Sequence, residues 1–329
     1  MRRDNLKRAL VTGGAGFIGS HIAASLLEKG LKVVVMDDLS MGRAENVPDG
    51  VSLVVGDICD DARLAAALDG VDVVFHNAAR VSIRNSFDDV GEDTRTNVLG
   101  TVGLLRQAGR AGVKRFIYAS SMAVYAPDSS IPINEGAALN PISPYGAGKL
   151  AGELYTKHLA AFFGFEHVVL RYFNTYGPGQ TPTPYVGVIT IFTRNLLAGR
   201  PPVIFGEGRQ VRDFVHVSDV AEANLRAMEM APDGAVINVG TGKGTSVGEI
   251  ARILTERISP GMSPEYGPLP RGEPIDSVAD TGELTRLLGF APKAALDERI
   301  DGVIEWCAPP AQPARKKRKD ARTLLGRPD

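Results

Sequence analysis

Tyr145 and Lys149 are four residues apart in PYGAGKLAGELY, residues 144–155, a segment with the apolar periodicity of a helix. Side chains at this spacing lie on one face of a helix. Tyrosine ordinarily titrates at about pH 10, and a neighbouring ammonium group or another positive charge favours the phenolate, so the pKa of Tyr145 is expected to fall toward neutral pH. The pair therefore suits a proton-transfer centre, although two surface residues would show the same spacing.

A pair of serines precedes this helix in YASSMAVY, residues 118–125, at the end of an apolar strand pattern. Because the serines come just before a turn, a hydroxyl group there can face a bound cofactor and substrate. Such a hydroxyl would complete a path for a proton between a substrate oxygen and Tyr145.

The first strand pattern is followed by TGGAGFIGSH, in which Gly14, Gly16 and Gly19 form G-x-G-x-x-G and Gly13 adds a further glycine. Glycines allow a tight turn, a close approach of a pyrophosphate to the backbone, and close packing of the next helix on the strand. The free N–H groups at the start of that helix then favour the phosphate charge. The motif predicts a dinucleotide-binding turn.

Acidic residues follow the second and third strand patterns, at the same edge of the expected sheet. Asp37 and Asp38 end the second pattern, and an acidic residue there holds the ribose hydroxyls of NAD and repels the 2′-phosphate of NADP. Arg43 keeps NADP open as an alternative. Asp57 could reach the adenine amino group, although a plain surface aspartate is an equally good interpretation. NAD is the predicted cofactor.

Short apolar runs alternate with helical patterns in the first half of the chain, which predicts a parallel sheet covered by helices on both faces. The predicted fold class is therefore α/β, a doubly wound parallel sheet of the Rossmann type with a smaller C-terminal substrate-binding lobe. Strands are predicted at 8–12, 31–36, 51–55, 71–76, 114–120, 167–173 and 235–240, and helices at 17–29, 61–69, 97–111, 145–163, 186–198, 218–230 and from residue 246.

The regular alternation ends after Asn174, where the chain becomes rich in Pro, Gly and Thr. Residues 1–173 are predicted to form the NAD-binding domain, to which elements at about 211–240 return, and residues 174–307 to form most of the substrate-binding lobe. A pair of strands is expected at 203–217. Residues 308–329, with the basic run RKKRK at 315–319, are predicted to be a disordered tail.

The 329 residues carry a formal net charge of -1, which does not favour nucleic acid or an anionic membrane as a partner. The two cysteines, Cys59 and Cys307, are too far apart for a metal motif or a disulfide framework, which suits a reducing compartment. A basic N-terminus precedes an uncharged run, but the glycines in that run make it a poor signal peptide. A cytoplasmic protein without a metal is therefore predicted.

The order and spacing of several motifs resemble those of the extended short-chain dehydrogenase/reductases, over most of residues 8–300. The motifs are TGGAGFIGSH, SSMAVY, YGAGK, FHNAA, TNVLGT, LRYFNTYGPGQ, QVRDFVHVSDVAEA, INVGTG and RGEP. The resemblance is greatest to the NAD-dependent nucleotide-sugar epimerase/dehydratase group of that family. It implies inversion of C4 of a UDP-hexose through a 4-keto intermediate, with the UDP-sugar between the two lobes and NAD regenerated.

The resemblance also implies a role for each matched residue. Ser121, Tyr145 and Lys149 would be catalytic, with Tyr145 as the base. The implied cofactor contacts are Gly13, Gly16, Phe17, Ile18, Gly19, Asp37, Asp57, Ile58, Ala78 and Lys149. The implied substrate contacts are Arg84, Ser121, Tyr145, Asn174, Arg212, Arg271, Glu273 and Ser277, with Asn174 and the last two arginines on the diphosphate and Glu273 on the nucleotide ribose.

Three alternatives differ in the chemistry they need. A 4,6-dehydratase needs an acidic pair beside the catalytic hydroxyl, where this chain has Met122 and Ala123. A UDP-glucuronate 4-epimerase or decarboxylase uses the same Ser-Tyr-Lys set and stays open. A catalytically silent NAD-binding regulatory protein would be expected to lose Tyr145 or Lys149, and both are present.

Two further expectations rest on the resemblance. Ser277 matches a pocket position where a large Tyr restricts the family to unsubstituted hexoses, so UDP-GlcNAc and UDP-GalNAc are predicted to be accepted beside UDP-glucose and UDP-galactose. Family members usually dimerise, which implies a homodimer through the helices at 97–111 and 145–163. The candidate outer faces of these helices carry Val98, Leu105, Leu150, Leu154 and Leu159, which an ordinary core would explain equally well.

Overall fold

Seven parallel strands form the central sheet of the computed structural model, which describes residues 6–181, 187–268, 276–293 and 296–308. Along the chain they are β1 (Arg8–Thr12), β2 (Lys32–Asp37), β3 (Ser52–Val55), β4 (Val73–His76), β5 (Arg115–Ser121), β6 (Glu166–Tyr172) and β10 (Ala235–Val239). Their order across the sheet is β3-β2-β1-β4-β5-β6-β10. The direction of strand order reverses between β1 and β4, and ligands of such sheets bind at the carboxyl edge beside that reversal. The predicted doubly wound parallel sheet is confirmed.

Helices cover both faces of this sheet. On one face α1 (Phe17–Glu28), α8 (Val217–Glu229) and α10 (Gly282–Leu288) enclose an apolar cluster that contains Val11, Ile22 and Val220. On the other face α2 (Asp61–Ala67), α5 (Thr101–Arg110) and α6 (Pro144–Phe163) enclose a second cluster with Leu10 and Phe116. Each fully buried side chain of this size contributes about 1.5–3 kcal/mol, so the two clusters are the main stabilising element of the sheet.

The helix that carries Tyr145 and Lys149 has defined ends. The Ser143 side chain caps α6 by accepting from the backbone N–H of Gly146 at 3.1 Å, and Pro144 occupies the first turn. Gly164, with φ 80°, ends the helix in the left-handed conformation. The register of α6 against β5 is thus set from both ends.

The helix predicted at 97–111 differs from expectation at its start. The structure has short helices α3 (Asn85–Asp88) and α4 (Val90–Thr94), then a π-helical turn at Arg95–Gly100, and only then α5. A Cβ on Gly100 would lie 2.7 Å from Cδ1 of Ile58, so this turn packs closely on the loop after β3. π-Helical turns of this kind are frequent at functional sites.

The second lobe contains two small sheets. One consists of β7 (Asn174–Tyr176), β9 (Val211–His216), β11 (Gly244–Ser246) and β13 (Asp276–Ser277), and the other pairs β8 (Val203–Phe205) with β12 (Glu265–Gly267). Both strands expected at 203–217 are present, but they do not pair with each other, because β8 and β9 belong to different sheets. Helices α7 (Val188–Leu197), α9 (Val247–Ile258) and α11 (Leu296–Cys307) pack around Tyr176, Phe192 and Ile250.

Of the elements at about 211–240 predicted to return to the NAD-binding domain, β10 joins the seven-stranded sheet and α8 packs against α1, whereas β9 pairs in the small sheet of the second lobe. The division of the chain at residue 173 stays a prediction. The basic run at 315–319 lies outside the described residues. Within the described ranges, the helices lack the length and apolar character needed to cross a membrane.

Candidate active site

Glycines shape the turn between β1 and α1. Gly13 has φ +67°, and a Cβ on it would lie 2.7 Å from the backbone nitrogen of Ala78. A Cβ on Gly19 would lie 2.2 Å from the carbonyl oxygen of Gly13, so the first turn of α1 packs directly on the loop. At Gly16, the N-cap of α1, there is no side-chain capping hydrogen bond. The residues present therefore fit the diphosphate of a dinucleotide.

Asp37 ends β2 beside this turn and is 7% exposed. One carboxylate oxygen accepts from the backbone N–H of Ala15 at 3.0 Å, and the other accepts from that of Leu39 at 2.9 Å. Burial raises the pKa of Asp37, and these hydrogen bonds oppose the rise. Asp37 thus stabilises the glycine turn through its hydrogen bond with Ala15. Its contact with a ribose stays a prediction.

Asp57 follows β3 and forms an ion pair with Arg95 at 2.6 Å. It also accepts from the backbone N–H of Cys59 at 2.8 Å. Although burial opposes the change, these two contacts lower the pKa of Asp57. The sequence pattern does not reveal Arg95 as a partner, because the two residues come from different elements.

The predicted cofactor residues from the first four strands meet at the carboxyl edge of the sheet, since each follows or ends a parallel strand. They are Gly13, Gly16, Phe17, Ile18 and Gly19 after β1, Asp37 at the end of β2, Asp57 and Ile58 after β3, and Ala78 after β4. Which of them touch the cofactor stays a prediction.

Ser121, Tyr145 and Lys149 lie together where β5 ends against α6. The Ser121 side chain lies close enough to the Tyr145 hydroxyl to act on its pKa, which it lowers. Lys149 Nζ lies 6.0 Å from the centre of the Tyr145 ring and donates to the carbonyl oxygen of Ala119 at 2.8 Å. The structure therefore brings together the three residues predicted to be catalytic.

Burial dominates the ionisation of this pair. It raises the pKa of Tyr145 to about 12, although the nearby Ser121 side chain opposes the rise. It lowers the pKa of Lys149 to about 8. The described residues by themselves do not bring the pKa of Tyr145 toward neutral pH, because burial has the largest influence on it. That Lys149 and a second positive charge do so together stays a prediction. A further positive charge, such as a nicotinamide ring, is needed to favour the phenolate.

Asp93 and Asn97 are polar residues of the site that the sequence analysis did not single out as functional. Both are at most 2% exposed, and Asn97 Nδ2 donates to Asp93 Oδ2 at 3.1 Å. A Cβ on Gly148 would lie 3.6 Å from Asp93 Oδ1, so this carboxylate packs against α6. Burial has the larger influence on both residues, since it raises the pKa of Tyr145 and lowers that of Lys149. The negative charge of Asp93 raises the pKa of each of them. Helical periodicity marks apolar faces and gives no sign of a buried carboxylate.

Three predicted substrate residues lie in one small sheet of the second lobe: Asn174 in β7, Arg212 in β9 and Ser277 in β13. Arg212 and Ser277 are paired residues of neighbouring strands. Ser277 is fully buried, and within the described part of the chain its hydroxyl oxygen has no hydrogen-bond partner. A buried hydroxyl group without a hydrogen-bond partner in the protein can form a hydrogen bond with a bound molecule. Arg271 and Glu273 lie outside the described residues.

Arg84 reaches from the first lobe toward the second. Its guanidinium carbon lies 5.5 Å from the centre of the Phe205 ring in β8, within the range of a cation–π contact. A small cleft lies near the end of β5 and the start of α6, and residues of both lobes line it, among them Ile83, Met122, Ala123, Tyr125, Ser143 and Asp276.

The fold and the site together define a class: an α/β enzyme with a dinucleotide turn and a Ser-Tyr-Lys set at the carboxyl edge of a doubly wound sheet. The chain belongs to the NAD dependent epimerase/dehydratase family, whose profile matches residues 9–240. This confirms the resemblance inferred from the motifs, and NAD is the family's cofactor.

Relatives and solved structures agree with this assignment. The chain is 40% identical to UDP-glucose 4-epimerase of Mycolicibacterium smegmatis, over 91% of this chain and 98% of the relative. Its structure resembles that of Thermotoga maritima UDP-glucose 4-epimerase with UDP-glucose, with a TM-score of 0.88, 39% identity and coverage of 91% and 98% of the two chains. It also resembles a UDP-N-acetylglucosamine 4-epimerase of Methanobrevibacter ruminantium, with a TM-score of 0.87, 34% identity and coverage of 91% and 97%.

Proposed function

We propose that this protein is an NAD-dependent 4-epimerase of UDP-hexoses. The observation that carries the proposal is the proximity of Ser121 to Tyr145 beside the buried Lys149, at the sheet edge that holds the glycine turn. Similarity to UDP-glucose 4-epimerases over about nine-tenths of the chain supports the choice of reaction.

The chain's own residues would move one proton and hold the sugar. Tyr145, through Ser121, would take the proton of the sugar 4-hydroxyl group and later return it. Lys149 would hold the positive charge that stabilises the phenolate. When bound, NAD would supply the hydride chemistry, as acceptor and then donor of the hydride at C4.

The second lobe would bind the diphosphate. Arg212 is half-buried in β9, and a guanidinium group suits phosphate oxygens because it presents several N–H donors in a fixed plane. Asn174 in the adjoining strand β7 would add an amide donor. The roles proposed for Arg271 and Glu273, on the diphosphate and the ribose, rest on the resemblance alone.

Dehydration is disfavoured by the cleft itself. Met122 and Ala123, which follow Ser121 and line the cleft, carry no acidic group. The carboxylate of Asp276 lines it from β13 but accepts the backbone N–H of Val211 at 2.9 Å. A UDP-glucuronate 4-epimerase or decarboxylase stays the second candidate, because the Ser-Tyr-Lys arrangement suits oxidation at C4 in either case.

Incubation of the purified protein with a panel of UDP-sugars, with products separated by chromatography, tests the proposal. Conversion of UDP-galactose to UDP-glucose without added reductant is expected, since the hydride returns to the sugar. Activity on UDP-glucuronate alone would favour the second candidate. Bound NAD without any conversion would favour a silent NAD-binding scaffold.

Replacing Ser277 with Tyr is expected to lower activity on UDP-GlcNAc relative to UDP-glucose by about 10-fold or more. The resemblance implies that Ser277, which is fully buried in β13, borders the 2-substituent of the sugar, so a phenol ring there would occupy the space of a 2-acetamido group. The kcat/KM ratio of the two substrates measures the effect. Ser277→Ala serves as the control with a small side chain, and an unchanged ratio in Ser277→Tyr would rule out this pocket assignment.

A homodimer through α5 and α6 is also proposed, with an outer face that differs from the expected one. Leu105 is fully buried in the core, and Leu150 and Leu159 are partly buried against core clusters, whereas Leu154 is 53% exposed. Other exposed apolar residues of these helices and the preceding turn are Leu99, Tyr155 and Phe162, at 63%, 45% and 79%. An apolar patch on neighbouring helices is typical of an interface.

Phe162→Glu should therefore shift the protein from dimer to monomer, because a buried unpaired carboxylate is costly at an interface. Analytical ultracentrifugation at several concentrations measures the mass. Tyr266→Glu, at a 65% exposed site in β12, is the matched control and should leave the mass unchanged. A wild-type protein that sediments as a monomer would refute the dimer.

A further inference from the structure

A buried ion pair between Glu153 and Arg171 lies next to the catalytic residues. Arg171 Nε donates to Glu153 Oε1 at 2.9 Å, and Nη2 donates to Oε2 at 2.7 Å. The Ser120 hydroxyl donates to the same Oε1. Ser120, Glu153 and Arg171 are 3%, 7% and 3% exposed, so the pair is shielded from water.

These contacts hold α6 to the end of β5 at two successive helical turns. Lys149 Nζ donates to the carbonyl oxygen of Ala119, and Glu153, one turn further along α6, accepts from Ser120. Ser120 immediately precedes Ser121. The carboxylate of Glu153 therefore connects the helix of Tyr145 and Lys149 to the strand end that carries the Ser121 hydroxyl.

A second branch of the network reaches the wall of the cleft. Arg171 Nη1 donates to the Tyr125 hydroxyl at 2.9 Å and to the carbonyl oxygen of Glu135 at 3.1 Å. Tyr125 lines the cleft and donates to Asn238 Oδ1 in β10 at 2.6 Å. One guanidinium group thus links α6, β6, the cleft wall and β10.

Stability alone does not account for this arrangement. Two charges removed from water have a desolvation cost that their attraction barely offsets, and well-packed apolar residues are often neutral or better in the same place. The pair instead fixes the positions of the two side chains, because a bidentate ion pair with a third hydrogen bond allows only one geometry.

We propose that Glu153 and Arg171 are positioning residues that hold Ser121 and the Tyr145–Lys149 helix at the separation proton transfer requires. The reaction they serve is the 4-epimerisation proposed above, on which this inference rests. A displacement of about 1 Å in a catalytic group can lower a rate by about 100-fold, which sets the size of the expected effect.

The test compares the full-length protein with three variants. Glu153→Leu/Arg171→Met replaces the pair with apolar side chains and leaves no buried charge unpaired. Ser120→Ala removes only the link to β5. Thr156→Val is the matched control, since Thr156 is fully buried on the same helix and its hydroxyl has no hydrogen-bond partner within the described residues. The measurements are kcat, KM for the UDP-sugar, bound NAD, Tm and a crystal structure.

The double variant is expected to keep its NAD, Tm and KM while kcat falls by about 100-fold, and to show a larger distance between the Ser121 and Tyr145 hydroxyl groups in the crystal than the wild type shows. Ser120→Ala is expected to lower kcat by about 5-fold, and Thr156→Val to match wild type. If the double variant does not fold, the kcat and the crystal structure of Ser120→Ala alone test the positioning role. Wild-type kcat and an unchanged distance between the Ser121 and Tyr145 hydroxyl groups in the folded variants would overturn the positioning role. A wild-type protein inactive on every UDP-sugar would instead overturn the proposed function, and the crystal comparison would still decide the positioning.

Discussion

Replacement of Tyr145 by Phe is expected to lower the kcat of UDP-sugar conversion by about 1,000-fold. Phe keeps the ring and removes only the hydroxyl group, which lies near Ser121 and is the group proposed to move the proton. Bound NAD should persist, because the glycine turn and Asp37 belong to other elements. Steady-state kinetics measure the loss, and the absorbance of NAD released on denaturation measures the cofactor.

Tyr155→Phe is the matched control for this prediction. Tyr155 is on the same helix, α6, and is 45% exposed, so the loss of its hydroxyl should leave kcat unchanged. A Tyr145→Phe protein that keeps more than about one-tenth of wild-type kcat would exclude Tyr145 as the base, since general acid–base catalysis contributes about 100-fold or more.

Replacement of Lys149 by Met is expected to have opposite effects on activity and stability. kcat should fall by about 100-fold or more, because the phenolate loses its cationic partner. The free energy of unfolding should rise by roughly 2 kcal/mol at neutral pH, because burial lowers the pKa of Lys149 to about 8 and the folded state therefore bears a desolvation cost. Loss of the hydrogen bond to Ala119 offsets part of the gain.

The stability difference between Lys149→Met and wild type depends on pH through the pKa of Lys149. Below about pH 8 the ammonium group is protonated in the folded and the unfolded protein, so its full cost is present. Between about pH 8 and the ordinary lysine value of 10.5, the folded protein has released the proton and the unfolded protein still binds it. The stability of wild type then rises with pH, and the advantage of Lys149→Met should shrink.

Urea unfolding at pH 7 and at about pH 10, after NAD has been removed from both proteins, measures the difference. Lys157→Met is the control, because Lys157 is an exposed residue of the same helix and its replacement should change stability by less than about 0.5 kcal/mol. A Lys149→Met protein that is less stable than wild type at pH 7 would contradict the desolvation argument.

Much of the central sheet could be predicted because its signals are local. Strands buried on both faces appear as continuous apolar runs, and β1, β5 and β10 lie within a residue of the ranges expected for them. The glycine turn is similarly local, since Gly13 and Gly19 act within a few residues of one another. The predicted family is confirmed for the same reason, because it rests on short motifs in order.

The second lobe was harder to predict because its strands are short and their partners are distant. β8 and β9 are near neighbours in sequence, yet β8 pairs with β12 and β9 with β13, both more than 50 residues further along the chain. A three-residue strand such as β8 has too few positions to show an alternating pattern. Pairing at that range is decided by packing.

The residue types and their order along the chain suffice for the local elements, the dinucleotide turn and the identities of Ser121, Tyr145 and Lys149. Tertiary structure alone decides how those groups ionise and what holds them. Burial raises the pKa of Tyr145 and lowers that of Lys149, and burial is a property of packed neighbours. Glu153 and Arg171 have an unremarkable spacing in sequence, and only the packing of α6 on β5 and β6 makes them a shielded pair. Desolvation and long-range hydrogen bonding depend on distances in space, which the order of residues does not contain.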